Sequence, residues 1–286
     1  MKMAQFNLTL SCSNRPGIVA RVAGHLFERG CDILDAQQYE DQTVDRFFMR
    51  VAFRRSGATD IKFLQDGFAP VAASLNMVWS LRSSTERRRV ALLVSKADHC
   101  LVDLLYRWRI GELEMDPAVI ISNHPATCFS HLDFMGIPFH SVADAAGTKA
   151  LQEEQILDHI ERYRVELVVL ARYMQVLSDA LASRLSGTCI NIHHSFLPGF
   201  KGARPYHQAH EYGVKLIGAT AHYVTAQLDE GPIIVQDVEH ISHRDSPRDL
   251  VRKGRDIERR VLAKALRLHL EDRVLCNGRK TVIFDS

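Results

Sequence analysis

The amino-terminal part of the chain switches between the period of a strand and that of a helix. Apolar residues recur at three- or four-residue spacing in two of its segments, as at Ile18, Val22 and Leu26, and this period predicts helices. The predicted elements in chain order are a strand at 6–12, a helix that ends at Gly30, strands at 32–39 and 46–53, a helix at 61–75 and a strand at 76–81. The order βαββαβ is typical of a ferredoxin-like unit, an antiparallel sheet with both helices on one face.

A different pattern begins after residues 82–88, a polar segment without a period that predicts a domain boundary. Continuous apolar runs then alternate with amphipathic segments, and the runs lie at 90–94, 118–121, 167–170 and 189–192. Such runs interleaved with helices predict a mostly parallel sheet covered on both faces. We therefore predict an α/β protein with a ferredoxin-like domain at residues 1–84 and a Rossmann-like domain at residues 85–286.

The remainder of the chain is predicted to form strands at 215–224 and 233–238, a long helix at 247–269 and a hairpin at Asn277-Gly278. No G-x-G-x-x-G motif follows the first strand of the second domain. Because that motif is the usual mark of a dinucleotide site, we expect no cofactor.

Charge and composition narrow the possible partners. The 36 basic and 34 acidic residues are scattered along the chain, so we expect no nucleic-acid partner, which would require a concentrated basic surface. No apolar run approaches the ~20 residues that span a bilayer, and the amino terminus does not have the pattern of a signal peptide. We therefore expect no membrane partner and a cytoplasmic location. The six cysteines form no C-x-x-C pair and are expected to be reduced.

Polar side chains are concentrated after two strands of the second domain. Asn191 and His193 are two positions apart, and therefore on one side of an extended backbone, and Asp229 precedes the turn at Gly231-Pro232. An amide and an imidazole can hold a developing oxyanion, while a carboxylate can orient the nucleophile and accept its proton, so the set suits acyl transfer from a formyl amide. Taken singly, each residue has an ordinary structural interpretation.

A metal site is an alternative interpretation of the same region, because His193, His194, His222 and Asp229 are all possible ligands. Adjacent residues of an extended segment point to opposite faces, so His193 and His194 are not expected to bind one ion together. We therefore expect no metal site.

The motifs around these residues resemble those of the formyltetrahydrofolate deformylases. They are N-I-H-H-S-F-L-P at 191–198, G-A-R-P-Y-H-Q-A at 202–209, G-A-T-A-H-Y at 218–223 and L-D-E-G-P-I at 228–233. The resemblance spans nearly the whole chain. It implies that Asn191, His193 and Asp229 catalyse hydrolysis of 10-formyltetrahydrofolate to tetrahydrofolate and formate, in support of the one-carbon pools for purine biosynthesis.

The resemblance also implies two further binding regions. Residues 171–178, A-R-Y-M-Q-V-L-S, match the family's pterin loop, which assigns folate binding to Tyr173, Met174, Gln175 and Leu177. The amino-terminal domain resembles an ACT domain through N-R-P-G-I-V-A at 14–20; such domains pair and bind amino acids, which implies a homo-oligomer and a small amino-acid effector. The family often has Asp at the position of Asn14, so a purely structural role stays open.

A formyltransferase with an amine acceptor and an inactive amino-acid sensor are the competing functions. Relatives that formylate a ribonucleotide amine have a glycine-rich turn after the first strand of this domain, where backbone N–H groups approach a phosphate. The corresponding segment, V-S-K-A-D-H-C at 94–100, contains no glycine. Asp98 would repel a phosphate, although Lys96 would attract one. The intact trio argues against the sensor, and the turn favours water as the acceptor.

Overall fold

The computed structural model describes residues 4–56, 60–143, 149–199 and 205–285. The chain divides into two compact units. Unit 1 comprises Met1–Arg87, Glu271–Asn277 and Val282–Ser286, and unit 2 comprises Arg88–Leu270 and Gly278–Thr281. The sequence pattern predicted a second domain at residues 85–286, whereas most of residues 271–286 belong to unit 1.

Unit 1 is built on a four-stranded antiparallel sheet. Its elements are β1 (Ala4–Ser13), α1 (Ile18–Glu28), β2 (Cys31–Asp41), β3 (Arg46–Arg55), α2 (Ile61–Ser74) and β4 (Val78–Ser83). The strand order is β2-β3-β1-β4, and each neighbouring pair is antiparallel. Apolar side chains of the strands and helices form its core, in which the rings of Phe6 and Phe53 stack at 5.5 Å.

Contacts of β1 and β3 explain why the carboxyl-terminal segment belongs to unit 1. The Arg50 guanidinium, in a side chain that is 4% exposed, donates hydrogen bonds to the backbone carbonyl of Glu271 at 3.1 and 3.3 Å. Asn7 donates to Asp272 at 3.2 Å, and Phe48 packs against Phe284. Hydrophobic periodicity carries no information about such long-range contacts.

The predicted carboxyl-terminal hairpin is confirmed. Strands β12 (Val274–Asn277) and β13 (Lys280–Ile283) pair in a two-stranded sheet. Gly278 in the connecting turn has φ +61°, a left-handed conformation that glycine adopts without steric cost.

Unit 2 contains a mixed, mostly parallel sheet, as predicted. Its elements are β5 (Arg88–Val94), α3 (His99–Arg109), β6 (Met115–Ser122), β7 (Phe139–Ser141), α4 (Lys149–Arg162), β8 (Leu167–Leu170), α5 (Asp179–Arg184), β9 (Cys189–His193), α6 (Pro205–Glu211), β10 (Leu216–Tyr223), β11 (Ile233–His240) and α7 (Pro247–Leu270), with a 3-10 helix at Ala126–Phe129. The strand order is β11-β10-β9-β8-β5-β6-β7. The five strands from β9 to β7 run parallel, and β10 and β11 are antiparallel to their neighbours.

The four strands predicted from continuous apolar runs, β5, β6, β8 and β9, are almost completely buried. Ala91, Val119, Val168 and Cys189 are each at most 1% exposed, which explains why these strands appear as continuous apolar runs. Because β5, β8 and β9 are parallel, the segments that follow them lie at the same edge of the sheet. Within the described ranges, no helix is both long enough and apolar enough to cross a membrane.

Candidate active site

A cavity of about 780 Å³ in unit 2 is lined by the segments that follow β5, β8 and β9, together with residues of β10, its following turn and α7. A cavity at the carboxyl edge of parallel strands is the usual ligand site of such a fold. All seven residues that the sequence assigned to catalysis or folate binding line it: Asn191, His193, Asp229, Tyr173, Met174, Gln175 and Leu177.

Asn191 is oriented by a histidine on the neighbouring strand. His222 of β10 is paired with Asn191 of β9 in the antiparallel register, and the Asn191 Nδ2 atom is 3.3 Å from His222 Nε2. His222 Nδ1 is 2.9 Å from the backbone carbonyl oxygen of Tyr223. Because a carbonyl oxygen only accepts, Nδ1 donates this hydrogen bond, so the His222 ring is held between the Tyr223 backbone and the Asn191 side chain.

Asp229 reaches His193 and His222 through a tight turn after β10. Its Oδ1 atom lies 3.3 Å from His193 Nδ1 and 3.7 Å from His222 Nε2. Asp229 has φ +56°, a conformation uncommon for residues other than glycine. The turn requires Gly231, because a Cβ atom there would lie 1.7 Å from the Tyr223 carbonyl oxygen. Local backbone geometry therefore delivers the carboxylate into the cavity.

The charge of Asp229 is coupled to two histidines, His193 and His222. Burial raises the pKa of Asp229, but hydrogen bonds and charge interactions with His193 and His222 outweigh it and hold this pKa well below its ordinary value. Asp229 is therefore ionised at neutral pH. His193 Nε2, in contrast, is buried and has no hydrogen-bond partner among the residues that the structure describes. A buried polar atom without a partner is expected where a ligand binds.

The prediction that His193 and His194 face opposite sides is wrong. Their rings stack with centroids 5.2 Å apart, and both line the cavity. Because β9 ends at His193, the alternation of an extended strand does not continue to the next residue. Burial and the nearby charges of Arg172 and His193 lower the pKa of His194 to about 4, so its imidazole is neutral at neutral pH.

A buried carboxylate on α7 forms a second polar cluster in the cavity wall. Glu258 is 1% exposed and accepts a hydrogen bond from Tyr206 Oη at 2.6 Å. His99 Nε2 is 2.7 Å from its Oε2 atom, and Arg172 Nε is 3.2 Å from the same atom. This cluster could not be predicted from the sequence, because its members come from four separate segments and share no motif.

Part of this cluster has the spacing of a small metal site. Ligand atoms of His99, Cys100 and Glu258 lie within 4.8 Å of one another. However, Arg172 already places a positive charge beside Glu258, and burial together with Glu258 raises the pKa of Cys100 well above its ordinary value. A thiol that stays protonated is a poor metal ligand. A hydrogen-bonded ion cluster therefore describes these residues better.

The segment assigned to folate binding presents both buried and exposed side chains. Tyr173 is 6% exposed and packs in the core of unit 2, and its hydroxyl donates to Gln175 Oε1 at 3.1 Å. Met174 is 56% exposed, and Leu177 is partly buried against the core. The buried Tyr173 thus anchors the segment in the core, while other apolar side chains of the segment line the cavity.

The chain is similar to known proteins in sequence and in structure. The sequence profile of the formyl transferase family matches residues 88–266. A formyltetrahydrofolate deformylase from Bacillus subtilis is 47% identical over 280 residues, which cover 97% of this chain and 93% of that protein. The crystal structure of formyltetrahydrofolate deformylase from Burkholderia mallei is 49% identical with a TM-score of 0.93, covering 99% of this chain and 100% of that chain. Glycinamide ribonucleotide transformylase 1 from Symbiobacterium toebii is 32% identical with a TM-score of 0.66, covering 70% of this chain and 95% of that chain. The chain therefore belongs to the formyltetrahydrofolate deformylase family.

Proposed function

We propose that this chain hydrolyses 10-formyltetrahydrofolate to tetrahydrofolate and formate, with Asn191, His193 and Asp229 as the catalytic residues. The observation that carries the proposal is the convergence of an oriented amide, an imidazole with an unpartnered buried nitrogen and an ionised carboxylate on one cavity. Relatives named as deformylases over nearly the full chain support the same activity.

In the proposed reaction, water attacks the formyl carbon and the formyl oxygen becomes an oxyanion. The Asn191 amide and His193 Nε2 donate hydrogen bonds to this oxygen. Asp229 accepts a proton from the attacking water and passes it to N10 as the bond between N10 and the formyl carbon breaks. The products are tetrahydrofolate and formic acid, which ionises to formate.

Folate binding is assigned to Tyr173, Met174, Gln175 and Leu177. The pterin is a flat heterocycle with polar edges, so it requires an apolar slot and a few fixed polar groups. The exposed Met174 and the partly buried Leu177 supply apolar surface. Backbone groups of the same segment supply the polar partners.

Water is proposed as the acceptor because the turn after β5 is occupied by internal contacts. The Ser95 backbone N–H donates to the Arg172 carbonyl at 3.2 Å, and the Asp98 carboxylate is 2.6 Å from His131 Nε2. The Ser95 N–H is therefore not free to donate to a phosphate, and the Asp98 carboxylate would repel one. Transfer to a ribonucleotide amine is the second candidate, favoured by the likeness to a glycinamide ribonucleotide transformylase.

One experiment separates the two candidates. The enzyme is incubated with 10-formyltetrahydrofolate, with and without glycinamide ribonucleotide, and free formate and formylated nucleotide are measured separately. Hydrolysis gives formate at the same rate in both tubes. Formylation of the nucleotide that outpaces formate release would reject the hydrolase.

Unit 1 is proposed to act as an ACT-like regulatory domain that supports a homo-oligomer and binds a small amino acid. The order of its elements and its antiparallel strand pairing support this proposal, as do the half-exposed apolar residues Ile33, Leu34 and Tyr39 on the edge strand β2. Calorimetric titration with the common amino acids tests the effector; no heat with any of them would leave a structural role. Supply of formate to purine biosynthesis is part of the same proposal.

A further inference from the structure

The segment between β8 and α5, residues 171–178, has no regular secondary structure, yet buried carboxylates hold both of its ends. Glu153 on α4 contacts the carboxyl-terminal end, and Glu258 on α7 contacts the amino-terminal end. The two side chains belong to residues that are 8% and 1% exposed. A buried carboxylate is unfavourable unless it is hydrogen-bonded, so the partners of each one indicate what it stabilises.

Glu153 fixes the backbone of Ser178. Its Oε1 atom accepts from the Ser178 backbone N–H at 2.6 Å, and its Oε2 atom accepts from the Ser178 hydroxyl. The same hydroxyl accepts from the Leu181 N–H at 3.2 Å and caps α5. The half-exposed Lys149 has its Nζ atom 3.9 Å from Glu153 Oε1. The carboxylate is therefore engaged mainly with the end of the segment.

Glu258 fixes Arg172 at the other end. Arg172 has φ +65°, an unusual conformation for a side-chain-bearing residue that persists only when its surroundings hold it. Glu258 lies 3.2 Å from Arg172 Nε, and the Arg172 carbonyl accepts from the Ser95 N–H at 3.2 Å. The Ser95 hydroxyl in turn accepts from the Met174 N–H at 3.0 Å. Both the side chain and the backbone of Arg172 are thus restrained.

Between these two ends, Met174 and Val176 are 56% and 54% exposed and line the cavity. We propose that Glu153 and Glu258 are positioning residues for folate binding, which hold residues 171–178 in the binding conformation before the substrate arrives. The proposal rests on the assignment of this segment to the pterin. A segment that is already ordered loses less conformational entropy when the ligand binds, so loss of either carboxylate weakens binding more than chemistry.

The test compares Glu153→Gln with Glu154→Gln, an exposed position on the same helix. We expect Glu153→Gln to raise the KM for 10-formyltetrahydrofolate about tenfold with kcat within about twofold, as for other residues that orient a binding group. Glu154→Gln is expected to leave both constants unchanged. Equal KM values for the two variants would overturn the role of Glu153, even if Glu153→Gln melts at a lower temperature.

A double-mutant cycle with Ser178→Ala shows whether Glu153 acts through the segment. If it does, the two changes raise KM by less than the product of their separate effects, because both disturb the bond between the Glu153 carboxylate and the Ser178 hydroxyl. Additive effects on KM would contradict the proposal. Glu258→Gln provides the equivalent measurement at the other end, and amide hydrogen exchange of residues 171–178 is expected to become faster in both glutamine variants.

Val176→Asp changes the middle of the segment. It shows whether a negative result concerns the positioning role of the two carboxylates or the assignment of residues 171–178 to pterin binding. A raised KM for Val176→Asp together with an unchanged KM for Glu153→Gln would overturn the positioning role alone. An unchanged KM for Val176→Asp would show that the segment does not bind the substrate and would overturn both.

Discussion

Arg50 in unit 1 and Glu258 in unit 2 are both buried charges, and their partners differ. Arg50 contacts Asn7, the half-exposed Asp35 and the backbone of Glu271, all of which belong to the packed sheet and its carboxyl-terminal cover. Partners of Glu258 border the cavity, and one of them, Arg172, has an Nη1 atom without a hydrogen-bond partner among the described residues. A buried charge with complete protein partners maintains a fold, whereas one whose partners face a cavity prepares a site.

The largest effect on activity is expected for Asp229→Asn, which changes a charged residue of the cavity. The amide has nearly the same shape but cannot accept the water proton, so we expect formate release to fall by about a thousandfold or more while the fold is kept. Formate production and circular dichroism of the purified variant measure the two parts. Turnover near the wild-type rate would remove Asp229 from the mechanism.

A smaller effect is expected when the two adjacent histidines are compared. His193→Ala removes an oxyanion donor and should lower kcat by about 10²–10³. His194→Ala removes only the ring that stacks on His193, so a loss of about tenfold is expected from poorer positioning. Steady-state kinetics of both variants at saturating folate give the ratio. Equal losses would mean that His194 also contacts reacting atoms.

Arg50→Met should separate stability from activity. It removes hydrogen bonds to the Glu271 carbonyl and to Asn7 and leaves the half-exposed Asp35 to solvent. We expect the free energy of unfolding to fall by about 2 kcal/mol, with kcat unchanged. Denaturant unfolding followed by activity measurements on the folded variant provides both values. A large loss of kcat without a stability change would contradict the role given to Arg50.

The smallest predicted effect is a change of stability with pH. The pKa of Asp229 is depressed in the folded protein, so its contribution to stability is complete above the unfolded carboxyl pKa of about 3.9 and is lost as pH falls through the lower folded value. The difference in unfolding free energy between the wild type and Asp229→Asn should therefore narrow below about pH 4. A constant difference from pH 6 to about pH 3 would contradict this coupling.

The sequence predicted those parts of unit 2 that depend on local pattern. Continuous apolar runs located β5, β6, β8 and β9, and strand alternation placed Asn191 and His193 on one side. The same alternation failed one residue later, because β9 ends at His193. Strand β7 was missed because its three residues are too few to show a period.

Contacts between distant segments could not be predicted in this way. The pairing of His222 with Asn191 depends on the register of β9 and β10, which periodicity alone does not determine. Glu258 lies on a helix that the sequence predicted, but nothing in the helical pattern indicates that its carboxylate meets Arg172. Contacts between polar side chains of distant segments depend on the tertiary structure and can be identified only when that structure is known.

Completion of unit 1 by the end of the chain has a consequence for biosynthesis. Arg50 and its acceptor Glu271 are separated by 221 positions, so the ribosome releases the first strands long before their carboxyl-terminal partner exists. Folding during synthesis generally proceeds from the amino terminus, but these hydrogen bonds of unit 1 can form only after residue 271 has been made. A nascent chain that stops before Glu271 therefore leaves the Arg50 guanidinium without two of its hydrogen bonds.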